Sequence, residues 1–128
     1  MIDFLYNPPE EVMGAAIEKV KAGQHSDLIP DQVAKEIRDS LEKAKELRKT
    51  SPYPKAVLHT TIYSNTQRNF HNAEVSYIIW VEEYDKGQLK RQHHADFVFI
   101  LKPRIFKWKL DHVKKVVEWK PLWIREGD

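Results

Sequence analysis

Two adjacent histidines and an aspartate, in His93-His94-Ala95-Asp96, form a short cluster of residues whose types could do chemistry. Imidazole and carboxylate groups can ligate a metal ion or transfer a proton. The residues after Asp96 are aromatic and branched, which is typical of a β-strand. Because neighbouring side chains of a strand point to opposite faces, His93 and His94 cannot serve one site on a regular strand. We therefore expect His93 to face the core, and His94 and Asp96 to face the other side.

Other chemical sites find little support in the sequence. His25, His59, His71 and His112 lie on different predicted elements without metal-ligand spacing, and the chain has no cysteine. A metal site needs three or four converging ligands, so no metal site and no cofactor are predicted. The glycines form no phosphate-binding loop, and no serine stands in a nucleophile-elbow motif. Acid–base chemistry in a pocket remains as the enzymatic alternative.

Such a pocket would lie between the helices and the predicted sheet. Tyr77 and His93 are the catalytic candidates because both have core-facing parity, although a hydrogen-bonded core tyrosine would explain Tyr77 equally well. No carboxylate completes the set: Glu83 shares the parity but lies at a hairpin end, and Asp96 faces outward. The predicted ligand pocket consists of Tyr63, Tyr77, His93, Phe97 and Trp108.

Length and charge limit the class of protein. The 128 residues are enough for one domain, 1–128, and 21 basic against 19 acidic side chains give a net charge of +2. Bases exceed acids in the C-terminal third, but less densely than on a usual nucleic-acid surface, so binding of nucleic acid is not expected. No segment is apolar enough to span a membrane. This predicts a cytoplasmic chain by default, and an extracytoplasmic one if an N-terminal anchor was removed.

The periodicity of apolar residues changes once along the chain. Helical spacing with prolines in the first turn predicts helices at about 8–22 and 30–49. Period-two alternation then predicts strands at about 56–65, 72–84, 88–102 and 105–119. The sequence therefore predicts an α+β fold, with two N-terminal helices packed on one face of a curved, cone-like, four-stranded antiparallel meander.

Two predicted turns give a register for the strands. A loop at 85–87 places Val75 opposite Phe97 and Glu82 opposite Lys90, and a turn at 103–104 places Phe99 opposite Trp108. Both registers collect the apolar residues on one face, which should receive the helices. They also predict that Phe97, Phe99 and Trp108 are buried, while the lysines beside Trp108 are exposed.

Four large apolar residues fall on the opposite, outer face of the predicted sheet. A monomer seldom exposes an apolar patch of this size, which predicts a homodimer with Trp80 near the interface centre. A protein partner and a small apolar ligand are left open as further partners. The alternative cover is the segment 119–124 folding back over its own sheet. The predicted interface residues are Ile78, Trp80, Val98 and Ile100.

The order of elements resembles the nuclear-transport-factor-2-like superfamily, the cone-shaped α+β fold shared with ketosteroid isomerase. Trp108-Lys109-Leu110-Asp111 is similar to the aromatic-led strand near the C-terminus of many members. The extra element usual after the first long strand is replaced here by the short segment 66–72. The tail is similar to the end of the membrane-proximal domain of some penicillin-binding proteins at Trp119, Pro121, Leu122, Ile124, Gly127 and Asp128.

The resemblance implies a scaffold with many uses rather than one activity. Enzymes of the superfamily place a carboxylate base and tyrosine or acid donors inside the cone, and no acid of this chain matches that arrangement. We therefore expect a non-catalytic binding or assembly module that self-associates through the outer face. A small-molecule isomerase, cyclase or hydratase is the alternative, and a module of a larger cell-envelope protein is the second alternative.

Overall fold

The structure, a computed structural model, describes residues 8–69, 72–104 and 107–123, and side chains within 8–64, 72–104 and 107–115. In these ranges two helices, α1 (Pro9–Lys21) and α2 (Asp31–Lys49), precede four strands. The strands are β1 (Lys55–Asn69), β2 (Asn72–Asp85), β3 (Gln88–Arg104) and β4 (Lys107–Trp123), which form one antiparallel sheet in the order β1-β2-β3-β4. The predicted α+β meander is confirmed.

Both helices begin and end where the local sequence favours it. Pro9 occupies the first turn of α1, where its missing N–H removes no helical hydrogen bond. Gly23, with φ of +74°, ends α1 in a Schellman motif, since Gln24 N–H donates to the Lys19 carbonyl at 2.8 Å. Pro30 precedes α2. The helices bury Met13, Ala16, Ile17, Val20, Ala34, Ile37, Ser40, Leu41 and Ala44.

The pairing register between β2 and β3 differs from the predicted register by two residues. Asp85 pairs with Gln88 across a two-residue turn, in which Lys86 and Gly87 both have positive φ, 51° and 77°. Lys90 is then an extra residue on β3, so that Glu83 pairs with Arg91. The predicted pairs are therefore wrong. Val75 lies opposite Phe99, and Glu82 opposite Gln92.

The predicted turn at 103–104 is also wrong, because Pro103 and Arg104 belong to β3. Pro103 lies beyond Leu101, the last β3 residue that β2 pairs, and such an edge position tolerates a proline. Phe99 pairs with Val113 instead of Trp108, with Asp111 as an extra residue on β4. Residues 105–106, the predicted start of the fourth strand, lie outside the described residues.

The apolar face of the sheet is nevertheless the predicted one. Phe97 and Phe99 are buried under the helices, Trp108 and Leu110 pack half-buried against this core, and Lys107 and Lys109 are exposed. The register error between β2 and β3 leaves the faces of these strands intact because the shift is an even number of residues. In β4 the extra residue Asp111 reverses the alternation beyond it, so that Val113 lies on the face under the helices. We call the face under the helices the inner face, and the other the outer face.

The outer face is less open than expected. Ile100 is only 8% exposed, and Ile78, Trp80 and Val98 are half-buried within one chain. The backbone of 119–123 continues β4, with Leu122 opposite Gln92, so the expectation that this segment folds back over the sheet is wrong. The side chains of the predicted tail similarity, and the whole of residues 124–128, lie outside the described residues.

Candidate functional site

One buried polar cluster lies on the inner face near the β2–β3 hairpin. Glu83 on β2 and Arg91 on β3 are directly opposite each other, and His93 is two residues further along β3. Side chains two apart on a strand share a face, so all three converge. Ser51 joins them from the connection between α2 and β1. We call Ser51, Glu83, Arg91 and His93 the Glu83 cluster.

The carboxylate of Glu83 accepts four hydrogen bonds in this cluster. Arg91 donates through Nε to Oε1 and through Nη2 to Oε2, both at 2.9 Å. His93 Nε2 donates to Oε1 at 2.7 Å, and the Ser51 hydroxyl donates to Oε2. An ionised carboxylate has about four acceptor sites, so the capacity of Glu83 is filled. The Arg91 guanidinium also lies over the Tyr53 ring, 5.2 Å from its centroid.

The electrostatics of the cluster hold Glu83 in its ionised form. The side chain of Glu83 is only 1% exposed, and burial by itself raises the pKa of a carboxyl group. The hydrogen bonds from Arg91, Ser51 and His93 outweigh that effect and lower the pKa of Glu83 to about 2. Glu83 in turn raises the pKa of Arg91.

This arrangement suits structural stabilisation better than catalysis. A general base works best when its pKa is near the working pH and when it can reach the proton it removes. Glu83 has a low pKa, is buried and already accepts four donors. The carboxylate that would complete an acid–base set with His93 is therefore engaged in an ion-pair network.

Four of the five predicted pocket residues share the inner face. Tyr77 lies directly opposite Phe97, His93 belongs to the Glu83 cluster, and Trp108 packs against the core from β4. Tyr63 does not join them, because it pairs with Ser76 on the outer face and is 48% exposed. The pocket and the catalytic roles of Tyr77 and His93 stay predictions.

Tyr77 has an unusual environment for a buried tyrosine. Tyr77 is 4% exposed, and its buried hydroxyl forms no hydrogen bond with any described group. Burial raises the pKa of Tyr77 to about 12, and the nearby Thr60 side chain on β1 lowers this pKa by a smaller amount. A buried hydroxyl without a partner is unfavourable, since it has given up hydration without a replacement.

The Tyr77→Phe variant is therefore expected to unfold at equal or higher urea concentration than the wild type, with a gain of up to about 1 kcal/mol. Equilibrium urea unfolding followed by fluorescence measures the difference. A loss of more than about 1 kcal/mol would contradict the assignment and indicate that a water molecule or a ligand satisfies the hydroxyl.

The outer face carries a second group of polar contacts around Trp80. The His59 ring stacks on the Trp80 ring at a centroid distance of 5.0 Å and an interplanar angle of 23°. His59 Nε2 lies 2.7 Å from Oε1 of Glu82, and His94 Nδ1 lies 3.1 Å from Oδ1 of Asp96. His94 thus contacts an outward carboxylate, whereas His93 contacts a buried one. The two adjacent histidines belong to different faces, as their spacing predicted.

Two further structural findings concern the described residues. Within them, no three His, Asp or Glu side chains are close enough together to hold a metal ion. No helix in the described part of the chain is long and apolar enough to cross a membrane.

Comparison with protein-family models and with curated proteins gave no match to this chain. The nuclear-transport-factor-2-like resemblance therefore rests on the order of the elements and on the residues quoted for it.

Proposed function

We propose that this chain is a non-catalytic binding or assembly module of the nuclear-transport-factor-2-like type, which self-associates through the outer face of its sheet. The observation that carries the proposal is the saturated Glu83 cluster. The inner face holds a buried carboxylate, but its four hydrogen-bond donors and low pKa leave it a poor proton acceptor. Among the described strand residues, the other acid with inner-face parity is Asp85, which ends β2 at the hairpin turn, away from the Glu83 cluster's donors.

The outer face offers the surface that a partner would use. The buried residues of both helices belong to the inner core, and Trp80 is half-buried on the opposite side of the central strand β2. Aromatic side chains often contribute a large share of the binding energy at interface centres. Ile78 and Val98, which are also half-buried, extend the apolar surface around it.

The charges around Trp80 are compatible with burial against a second copy. Glu82 is paired with His59, and Asp96 is paired with His94, both within the same chain. Burying a polar group is costly when it loses its hydrogen-bond partner, and these carboxylates would keep theirs. A two-fold axis near Trp80 would bring two identical, internally paired surfaces together.

The Trp80→Glu variant is expected to be a folded monomer where the wild type is a dimer, because two glutamates near the axis would repel and would remove both aromatic anchors. Light scattering at micromolar concentrations measures the mass, and circular dichroism checks the fold. Lys43→Glu, an exposed change on α2, is the control and should remain dimeric. A monomeric wild type, or a Trp80→Glu variant that stays dimeric, would contradict the proposal.

A further inference from the structure

The end of the β3–β4 hairpin presents a concentrated positive charge on the outer face. Between 97 and 117 the sequence has six basic residues and a single acid, Asp111. Lys115 is directed to the inner side, where its Nζ lies 2.5 Å from Oε2 of Glu36 on α2. The other five form what we call the basic patch: Lys102, Arg104, Lys107, Lys109 and Lys114.

The register places like charges of this patch directly opposite each other. Lys102 pairs with Lys109, and Arg104 pairs with Lys107. The alternating pairs, Leu101 with Leu110 and Pro103 with Trp108, face inward toward the core, so both basic pairs face outward. Like charges directly opposite on neighbouring strands are destabilising. An anionic partner would remove this repulsion.

The patch is accessible and lies at the end of the sheet. Arg104, Lys107, Lys109 and Lys114 are exposed, and Lys102 is partly neutralised by Asp111, with 3.2 Å between Nζ and Oδ1. Leu101 is the last residue of β3 that pairs with β2. Both basic pairs therefore extend past the part of β3 that is paired with β2.

The centre of the patch lies away from Trp80, the proposed centre of the dimer interface, although Lys114 borders that interface opposite Val98. Lys102 lies eight residues along β3 from His94, the residue opposite Trp80. At about 3.4 Å per residue in an antiparallel strand, this separation is roughly 27 Å. A standard interface centred on Trp80 would leave the basic patch at or beyond its edge.

The composition of the patch favours one class of anionic partner. Single-stranded nucleic acid is usually bound by stacking on aromatic side chains beside the cations. The described aromatics of this hairpin, Phe97, Phe99 and Trp108, face inward. Tyr63 lies on β1 at the other edge of the sheet. Four of the five cations are lysines, which act as point charges rather than as bidentate readers. An anionic lipid surface requires only that several cations reach one plane.

We propose that the basic patch docks this chain onto membrane surfaces that contain anionic lipid headgroups. Each lysine or arginine near such a surface contributes about 1 kcal/mol, which corresponds to about a fivefold change in affinity. The attraction is electrostatic, so added salt weakens it. The docking requires no membrane-spanning segment.

Co-sedimentation of the wild-type chain with vesicles tests this proposal. Binding is expected to vesicles of phosphatidylcholine mixed with phosphatidylglycerol, and not to phosphatidylcholine alone, and it should disappear at high salt. Lys107→Gln and Lys109→Gln should each weaken binding about fivefold. Both variants should have thermal midpoints equal to or above the wild type, because each removes a cross-strand repulsion.

The double variant Lys43→Gln/Lys49→Gln is the matched control, since it removes two exposed charges from α2. It should bind vesicles like the wild type. Three outcomes would overturn the proposal: no binding to anionic vesicles at low salt, equal loss in the control, or binding of an oligonucleotide in fluorescence anisotropy without binding of vesicles.

Discussion

The Phe99→Ala variant is expected to lose roughly 3 to 5 kcal/mol of unfolding free energy, as is usual when a large core aromatic is truncated. Phe99 is fully buried on β3, between Val75 on β2 and Val113 on β4. It belongs to the core that receives the apolar residues of both helices. The loss combines the apolar area no longer removed from water with the cavity that the helices and sheet cannot fill.

Val98→Ala is the control for this prediction, because Val98 directly precedes Phe99 on β3 and is half-buried on the outer face. It should lose about 1 kcal/mol or less. Equilibrium unfolding in urea measures both variants, and equal m values would show that the transitions are comparable. A loss below about 1 kcal/mol for Phe99→Ala together with a larger loss for Val98→Ala would mean that the two faces are reversed.

The faces of β2 and β3 could be predicted because their side chains alternate with a period of two. An error of two residues in register leaves every side chain on its predicted face. The exact partners could not be predicted, because Gly87 is compatible with a two-residue or a three-residue loop. The structure has the shorter turn, in which Lys86 also has positive φ, followed by the bulge at Lys90.

Local sequence was misleading at Pro103, where a strong turn signal lies inside β3. A proline interrupts a strand where a neighbouring strand would need a hydrogen bond from the missing N–H. At Pro103 β2 no longer pairs with β3, so the strand can continue. The sheet face on which Tyr63 lies could not be predicted either. No turn was available to set the register of β1, which extends to Asn69 rather than ending near 65.

Part of the Glu83 cluster had a signal in the sequence. Glu83 has core-facing parity, and a buried carboxylate requires donors on the same face. Arg91 and His93 both have that parity on the next strand, so the register that pairs Glu83 with Arg91 satisfies the requirement. Ser51 had no such signal, because it is 32 residues away in the chain and lies in a connection.

The Glu83→Gln variant is expected to lose roughly 3 to 5 kcal/mol at neutral pH, the range typical of a broken buried ion pair. Glutamine keeps the size of the side chain but removes its charge. Its amide group can no longer accept all the hydrogen bonds that Arg91, His93 and Ser51 donate. Arg91, which is 20% exposed, keeps part of its hydration, so the lower end of the range applies.

Glu82→Gln is the matched control, because Glu82 is the neighbouring acid on β2 and points to the outer face, where it contacts His59. Partly exposed pairs of this kind contribute about 1 kcal/mol or less, so this variant should remain close to the wild type. Urea unfolding at neutral pH compares the two. Equal losses would contradict a special role for the Glu83 cluster.

The difference between wild type and Glu83→Gln should also depend on pH. The pKa of Glu83 is lowered from its ordinary value of 4.5 to about 2 in the folded chain, so the unfolded chain binds the proton more tightly. The stabilisation from the ionised carboxylate is therefore fully present above about pH 4.5, and it is lost as the pH falls through about 2. Glutamine does not titrate, so the stability difference between the two proteins should shrink over this interval. A difference that stays constant between pH 6 and pH 3, roughly the interval over which unfolded carboxyls titrate, would show that Glu83 is not held ionised by Arg91, His93 and Ser51.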